Sequence, residues 1–210
     1  NTKDQSVLGL DKPLSIDSQS TALSLVAINL AFKASLDMRL ISTKYQDEED
    51  SKVNNVVSEL LRRYNKFDDQ KMAQIVFLDI STPKKKLTFE ELENNYDNNL
   101  FTSLYDDIKF KHYETERKKL SLSQKMNKGE IRILIGATEN AGTGLNIQER
   151  LGFINHFSIP WKPSELEQRN GRGFRTGNWF AKNFNDNKID IGISATKNTL
   201  DNYKIDLNKN

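Results

Sequence analysis

The chain has 210 residues, no cysteine, two histidines, and 31 basic against 29 acidic side chains, for a formal net charge of +2. That length supports one large domain with its own core, while the lack of cysteine excludes a disulfide framework and thiolate-bound zinc. The near-balance of charge excludes a protein that coats nucleic acid by bulk charge, so any such binding has to be local. His112 and His156 lie far apart, and no metal site is expected from them. The longest apolar candidate, Ala22 to Phe32, is interrupted by Ser24 and Asn29 and falls short of the roughly 20 residues that cross a bilayer. A soluble, cytoplasmic protein without membrane partners is expected. The chain opens at Asn1 with neither a methionine nor a leader pattern, which reads as an excised piece.

Residues 1 to 20 are polar and carry Gly9, Pro13 and several serines, an irregular lead-in. From Thr21 to Ile41 the chain is apolar with mixed periodicity, and helix and strand are not separable by pattern. The division this suggests is a lead-in and linker over 1–30 and one domain over 31–208. Asp47 to Asp50 precede a helix in which Val53, Val56, Val57, Leu60, Leu61 and Tyr64 recur at helical spacing. Ile75 to Ile80, bounded by Ser81, Thr82 and Pro83, has the composition of a buried parallel strand. A polar stretch with the basic run Lys84 to Lys86 reads as a surface excursion. Tyr105 to Lys128 reads as helix, stopped at Gly129. Ile131 to Ile135, Phe153 to Ile159 and Ile189 to Ile193 supply three further strands. Strands alternating with helices predict an α/β fold with a mostly parallel sheet flanked by helices.

The second strand runs into GATENAGTGLNIQ, Gly136 to Gln148, at the sheet edge where open α/β sheets take ligands. Its glycines allow close backbone approach, and Thr138, Glu139, Asn140, Thr143 and Asn146 offer hydrogen-bonding groups, although a ligand-free turn needs the same glycines. No lysine follows as in a phosphate-binding P-loop, and Gly142-Thr143-Gly144 lacks the third glycine of a dinucleotide fingerprint. Asp79, at the end of an apolar strand, resembles a magnesium-binding aspartate but has no P-loop partner in the chain. The most informative stretch is SELEQRNGRGFRTGN, Ser164 to Asn178. Ser164 is predicted to cap a helix that presents Arg169, Arg172 and Arg175 along one edge with Gln168 beside them. Guanidinium forks suit phosphate oxygens and developing phosphoryl charge; a solvated or carboxylate-paired basic face is the plainer alternative.

In this order and separation, GATENAGTGLN resembles motif V and QRNGRGFR resembles motif VI of superfamily 2 helicases and translocases. FINHFSIPWKPS, between them, resembles the strand and Trp-Asn-Pro segment of Swi/Snf-type ATPases, with Lys162 in the asparagine position, and QIVFLDIST resembles the motif IV strand. KASLDMRLI and TLDNYKIDL resemble flanking sequence of phage and mobile-element proteins that join such a helicase to a DNA methylase. The resemblance implies the second RecA-like lobe of an ATP-dependent DNA motor. Its partners would be DNA, the first lobe of the same parent and an associated methylase, with ATP and Mg2+ held mainly by that first lobe. By similarity Arg172 and Arg175 act as arginine fingers with Gln168 beside them. Gly142, Gly144, Asn146 and Arg169 lie at the nucleotide, and Thr138, Asn140 and Ser81 touch the nucleic-acid backbone.

The sequence departs from the pattern in places. Thr143 stands where the DEAD-box branch has an arginine, and the stretch between residues 109 and 130 leaves little room for a strand its relatives carry. No Walker A or DEAD-like motif is present, so the isolated chain is expected to be inactive in ATP hydrolysis. A degenerate module that binds nucleic acid or protein is the competing expectation. A small-molecule enzyme would need a nucleophile, general base or cofactor loop that is not found.

Overall fold

The computed structural model describes residues 16–42, 44–80, 116–141 and 145–209. The stretch of mixed periodicity is a helix, α1 (Ile16–Leu36), which starts before the end of the polar lead-in and runs unbroken across residue 30. Asp37 then caps the 3-10 turn Met38–Leu40, accepting from the Arg39 backbone N–H at 2.8 Å and from its guanidinium at 2.8 and 2.9 Å.

The second helix, α2 (Lys52–Lys66), starts where the Ser51 hydroxyl accepts from the Asn54 N–H at 3.2 Å. Val53, Val56, Val57 and Leu60 face inward as their spacing requires, but Leu61 is exposed, so the apolar stripe is narrower than expected. Arg132 closes the far end of α2, donating to the Tyr64 and Phe67 carbonyls at 2.7 and 3.1 Å.

Four parallel strands follow in the order β2-β1-β3-β4: β1 (Ala73–Phe77), β2 (Ile133–Gly136), β3 (Leu151–His156) and β4 (Asp190–Ile193). Every residue of β1 and β3 is buried, as expected of strands covered on both faces. All four predicted strands exist; the bounds of the first three shift by one to three residues, and the fourth starts one residue later than expected. Phe157 and Ile159, read as the end of the third strand, lie beyond it and are buried.

One face of the sheet buries Val76, Leu78 and Phe153 against α1, α2 and Phe180 of α6 (Trp179–Phe184). The other buries Ile75, Phe77 and Ile154 against Leu122 and Met126 of α3 (Glu116–Lys128) and Ala141 of α4 (Thr138–Ala141). A register shift lets Leu151 and Phe153, two apart, pack on opposite faces, because Gly152 is the extra residue of a bulge. A Cβ there would stand 2.5 Å from the Met72 sulfur and the Phe180 ring. Helix α3 ends, as predicted, at Gly129, whose φ of +79° suits glycine. The basic run 84–86 and most of the polar excursion lie outside the described residues, as do residues 109–115. Residues 116–128 form helix rather than an added strand.

The remaining helices are α5 (Pro163–Asn170) and α7 (Leu200–Lys209). The two flanking stretches come together across α1, α2 and α7. Lys52 meets Asp201 at 2.7 Å with side chains only 4% and 2% exposed, and the Thr196 hydroxyl donates to the Ser35 carbonyl at 2.8 Å. Removing one member of a buried pair leaves the other charge desolvated without compensation, typically costing about 3–5 kcal/mol. Asp201→Ala is therefore expected to lower the urea midpoint by that equivalent, and Lys52→Met with Asp201→Leu to recover most of the loss. A surface-like effect of a few tenths of a kcal/mol for Asp201→Ala would contradict the pairing.

Candidate functional site at the carboxyl edge of the sheet

Helix α5 begins differently from expectation. Lys162 is the N-cap and gives no side-chain cap bond, while Pro163, which has no N–H to satisfy, occupies the first turn; Ser164 is not the cap. The helix also ends at Asn170, with Gly171 as C-cap, so Arg172 and Arg175 lie beyond it on turns and bends. The expected single helical edge of three arginines is thus corrected. The chain leaves the helix within motif VI, and the arginines separate into two environments.

Arg169 has no exposed surface. It donates to the Ser158 carbonyl at 2.6 Å, to Asp79 Oδ2 at 2.5 Å, and to the Thr138 hydroxyl at 2.9 Å from Nε and 2.6 Å from Nη2. Asp79 Oδ1 accepts from the Thr138 N–H at 3.0 Å and its hydroxyl at 2.8 Å, and the Asp79 N–H donates to the Ser158 hydroxyl at 3.0 Å. The guanidinium lies 5.0 Å from the Phe77 ring centroid. Burial pulls the Arg169 pKa down, and Asp79 pulls it back up.

Arg172 and Arg175 point the other way. Both donate to the Leu145 carbonyl, at 3.1 and 3.2 Å, and Arg175 also reaches Asn146 Oδ1 at 3.5 Å. Neither forms a salt bridge to a carboxylate among the described residues. Arg172 is buried, and its pKa is lowered by that burial and then by the Arg175 charge. Two cations sharing one neutral carbonyl fit an anion brought from outside, as triphosphate oxygens would be. Among the described residues no cluster of three or more His, Asp or Glu is placed to hold a metal ion.

A cleft of about 530 Å³ opens on the Arg169 side, lined among others by Asp79, Thr138, Gln168, Trp161 and Lys204. Gln168, grouped by sequence with Arg172 and Arg175, faces this cleft. Gly142, Gly144 and Ser81 lie outside the described residues, as does the side chain of Asn140; Asn146 is exposed beside Arg175. Lys204 had no sequence signal beyond its place three residues after Asp201 on α7. Its ammonium donates to the Ile159 carbonyl at 3.0 Å and stands 3.7 Å from the Phe32 ring centroid and 4.8 Å from that of Trp161. Desolvation lowers its pKa to about 8. Trp161 packs edge-on to Phe32 and Tyr203.

The parallel sheet flanked by helices is a RecA-like fold, with the stretches that resemble motifs V and VI at its carboxyl edge. The helicase conserved C-terminal domain matches residues 70–177, just over half of the chain, and the chain belongs to that family as the C-terminal lobe of a superfamily 2 helicase. The uncharacterized ATP-dependent helicase YqhH of Bacillus subtilis (strain 168) is 37% identical over 83 residues, 38% of this chain and 13% of that protein. Defense against restriction protein B of Escherichia phage P1 is 29% identical over 72 residues, 34% of this chain and 3% of that protein. The matched region is thus a small part of either relative. The C-terminal part of the Fun30 ATPase domain superposes with a TM-score of 0.50 at 18% identity, covering 83% of this chain and 51% of that one, a likeness of fold. No described helix is long and apolar enough to cross a membrane.

His156, at the end of β3, is fully buried and stacks on Phe77. Its Nε2 lies 2.8 Å from Asn170 Oδ1, so Nε2 carries the proton, while Nδ1 has no partner among the described residues. Burial lowers its pKa to about 4. The unfolded chain takes up this proton near pH 6.5 and the folded protein only near 4, so stability is full above 6.5 and lost as pH falls through that window. The loss is about 3 kcal/mol at most. Thermal midpoints from pH 7.5 to 4 are expected to show this dependence, and His156→Gln to flatten it. An equally steep decline in the variant would exclude His156 as the source.

Proposed function

We propose that this lobe completes the ATP site of a DNA translocase or helicase whose first RecA-like lobe, on the same parent protein, holds ATP and Mg2+. Arg172 and Arg175 act as the arginine fingers on the β- and γ-phosphates, with Gly142, Gly144 and Asn146 beside the nucleotide. The observation carrying this reading is the pair of guanidiniums that share the Leu145 carbonyl and have no carboxylate partner among the described residues. A triphosphate entering from the opposing lobe supplies the missing anion, and the arginines leave the carbonyl for charge that develops during phosphoryl transfer. ATP bound across two lobes favours closure, and hydrolysis releases it, converting nucleotide state into a step.

DNA lies along the other side of the edge, where the Arg169 cleft contains Thr138 and Gln168, with Ser81 and Asn140 as further backbone contacts. The likeness to a phage protein named for defence against restriction supports a mobile-element setting; a cytoplasmic location and an associated DNA methylase belong to the same reading and rest on the sequence resemblance alone. The isolated lobe is inactive as an ATPase.

In the parent protein, Arg172→Ala with Arg175→Ala is expected to lower DNA-stimulated ATP hydrolysis by about a thousandfold or more. Steady-state phosphate release with and without DNA reads this directly. Equal hydrolysis by wild type and variant would remove the finger assignment, and no hydrolysis by either would favour a degenerate binding module.

A further inference from the structure

The Thr138 hydroxyl has no hydrogen-bonding capacity left. Its single proton goes to Asp79 Oδ1, and its two lone pairs accept from Arg169 Nε and Nη2. The Thr138 N–H is taken by the same carboxylate oxygen, while the other oxygen holds Arg169 Nη2. Asp79 thus gathers the two Thr138 donors and one arm of a fully buried guanidinium. Its own side chain is 34% exposed and lines the cleft. A carboxylate and a phosphodiester present the same demand to such donors: two oxygens, one negative charge and no proton to give.

We propose that the Asp79 carboxylate occupies the seat of a nucleic-acid phosphate and that a bound strand displaces it, so that Asp79 sets the affinity of this lobe for nucleic acid. The inference rests on the nucleic-acid reading of the cleft given above. Thr138 cannot donate to a strand while Asp79 keeps both of its protons. Exchange is feasible because the incoming phosphate brings the negative charge that Arg169, buried beside it, loses when Asp79 swings away. Ser158 remains bonded to Arg169 through its carbonyl in either state, so the guanidinium has a fixed anchor while the anion changes. The strand-end aspartate that resembles a metal ligand in sequence is, on this reading, a stand-in for the ligand's phosphate.

The test is fluorescence anisotropy of this chain with a fluorescein-labelled thymidine oligonucleotide over a series of salt concentrations. Asp79→Asn keeps size and shape but competes as a neutral group. It is expected to tighten binding about fivefold and to leave the slope of the salt dependence little changed, since the same phosphate contacts form once the side chain at position 79 has been displaced. Glu165→Gln removes a charge from the lining of the same cleft and is expected to give a much smaller gain. Thr138→Val added to Asp79→Asn is expected to abolish the gain. An equal gain from Glu165→Gln would reduce the effect to bulk charge and overturn the proposal, as would a gain that survives Thr138→Val. Wild type and Asp79→Asn binding alike would overturn it and leave the nucleic-acid reading standing; binding by neither would overturn both. Wild-type protein gives an independent reading if the variant fails to fold. The Thr138 amide and Arg169 Nε resonances are expected to shift on saturation with the oligonucleotide, and unmoved resonances at saturation would overturn the proposal.

Discussion

Burying an arginine whole is costly, since a guanidinium that loses water has to find protein acceptors for its donors and an anion for its charge. Arg169 finds them at the ends of three different strands: Asp79 after β1, Thr138 after β2 and Ser158 after β3. No two of these segments supply the full set, so the buried charge is stable only when the carboxyl edge is assembled. Because Arg169 occupies the last turn of α5, the same bonds fix where that helix ends and where the chain turns toward Leu145. The placement of Arg172 and Arg175 therefore depends on Arg169, whose carbonyl also accepts from the Arg172 N–H at 3.1 Å.

Motif VI is divided by this geometry into parts that face different ways. Gln168 lines the cleft with Trp161 and Lys204, and Arg169 bonds Asp79 and Thr138 of that lining, while Arg172 and Arg175 bond Leu145 in the later part of motif V. The divide falls at Gly171, where the backbone leaves the helix. A short, rigid span thus joins two environments of opposite need. One already has its carboxylate, and the other, among the described residues, offers two cations the Leu145 carbonyl and the Asn146 amide oxygen. Thr138 and Leu145 belong to the same motif V stretch, so that motif is divided as well.

Much of this was legible from sequence for identifiable reasons. The strands were readable because β1 and β3 are apolar on both faces, and the end of α3 because Gly129 suits a left-handed backbone. Motifs V and VI were readable as chemistry because their residue types recur in a fixed order. Helix α1 was not readable as a helix, since its apolar residues are spread around it rather than along one stripe; Leu25 and Ile28 remain exposed. The helical edge of three arginines failed because spacing of three implies a common face only while the helix lasts. The partner of Asp79 lies 90 residues away and that of Asp201 lies 149 away, distances over which local pattern carries no information.

The clasp of Ser35, Lys52, Thr196 and Asp201 lies wholly outside residues 70–177, where the family signature falls. Its members come from both sides of that stretch and close on one another rather than on the motifs. A gene rearrangement that carried off only the recognisable motif region would leave a hydrophobic face of the sheet without α1 and α2, and with it Val76, Leu78 and Phe153 open to water. The segment needed to close this core is therefore larger than residues 70–177. Selection for foldability would keep two distant stretches travelling together, although neither contributes a residue to the arginine pair.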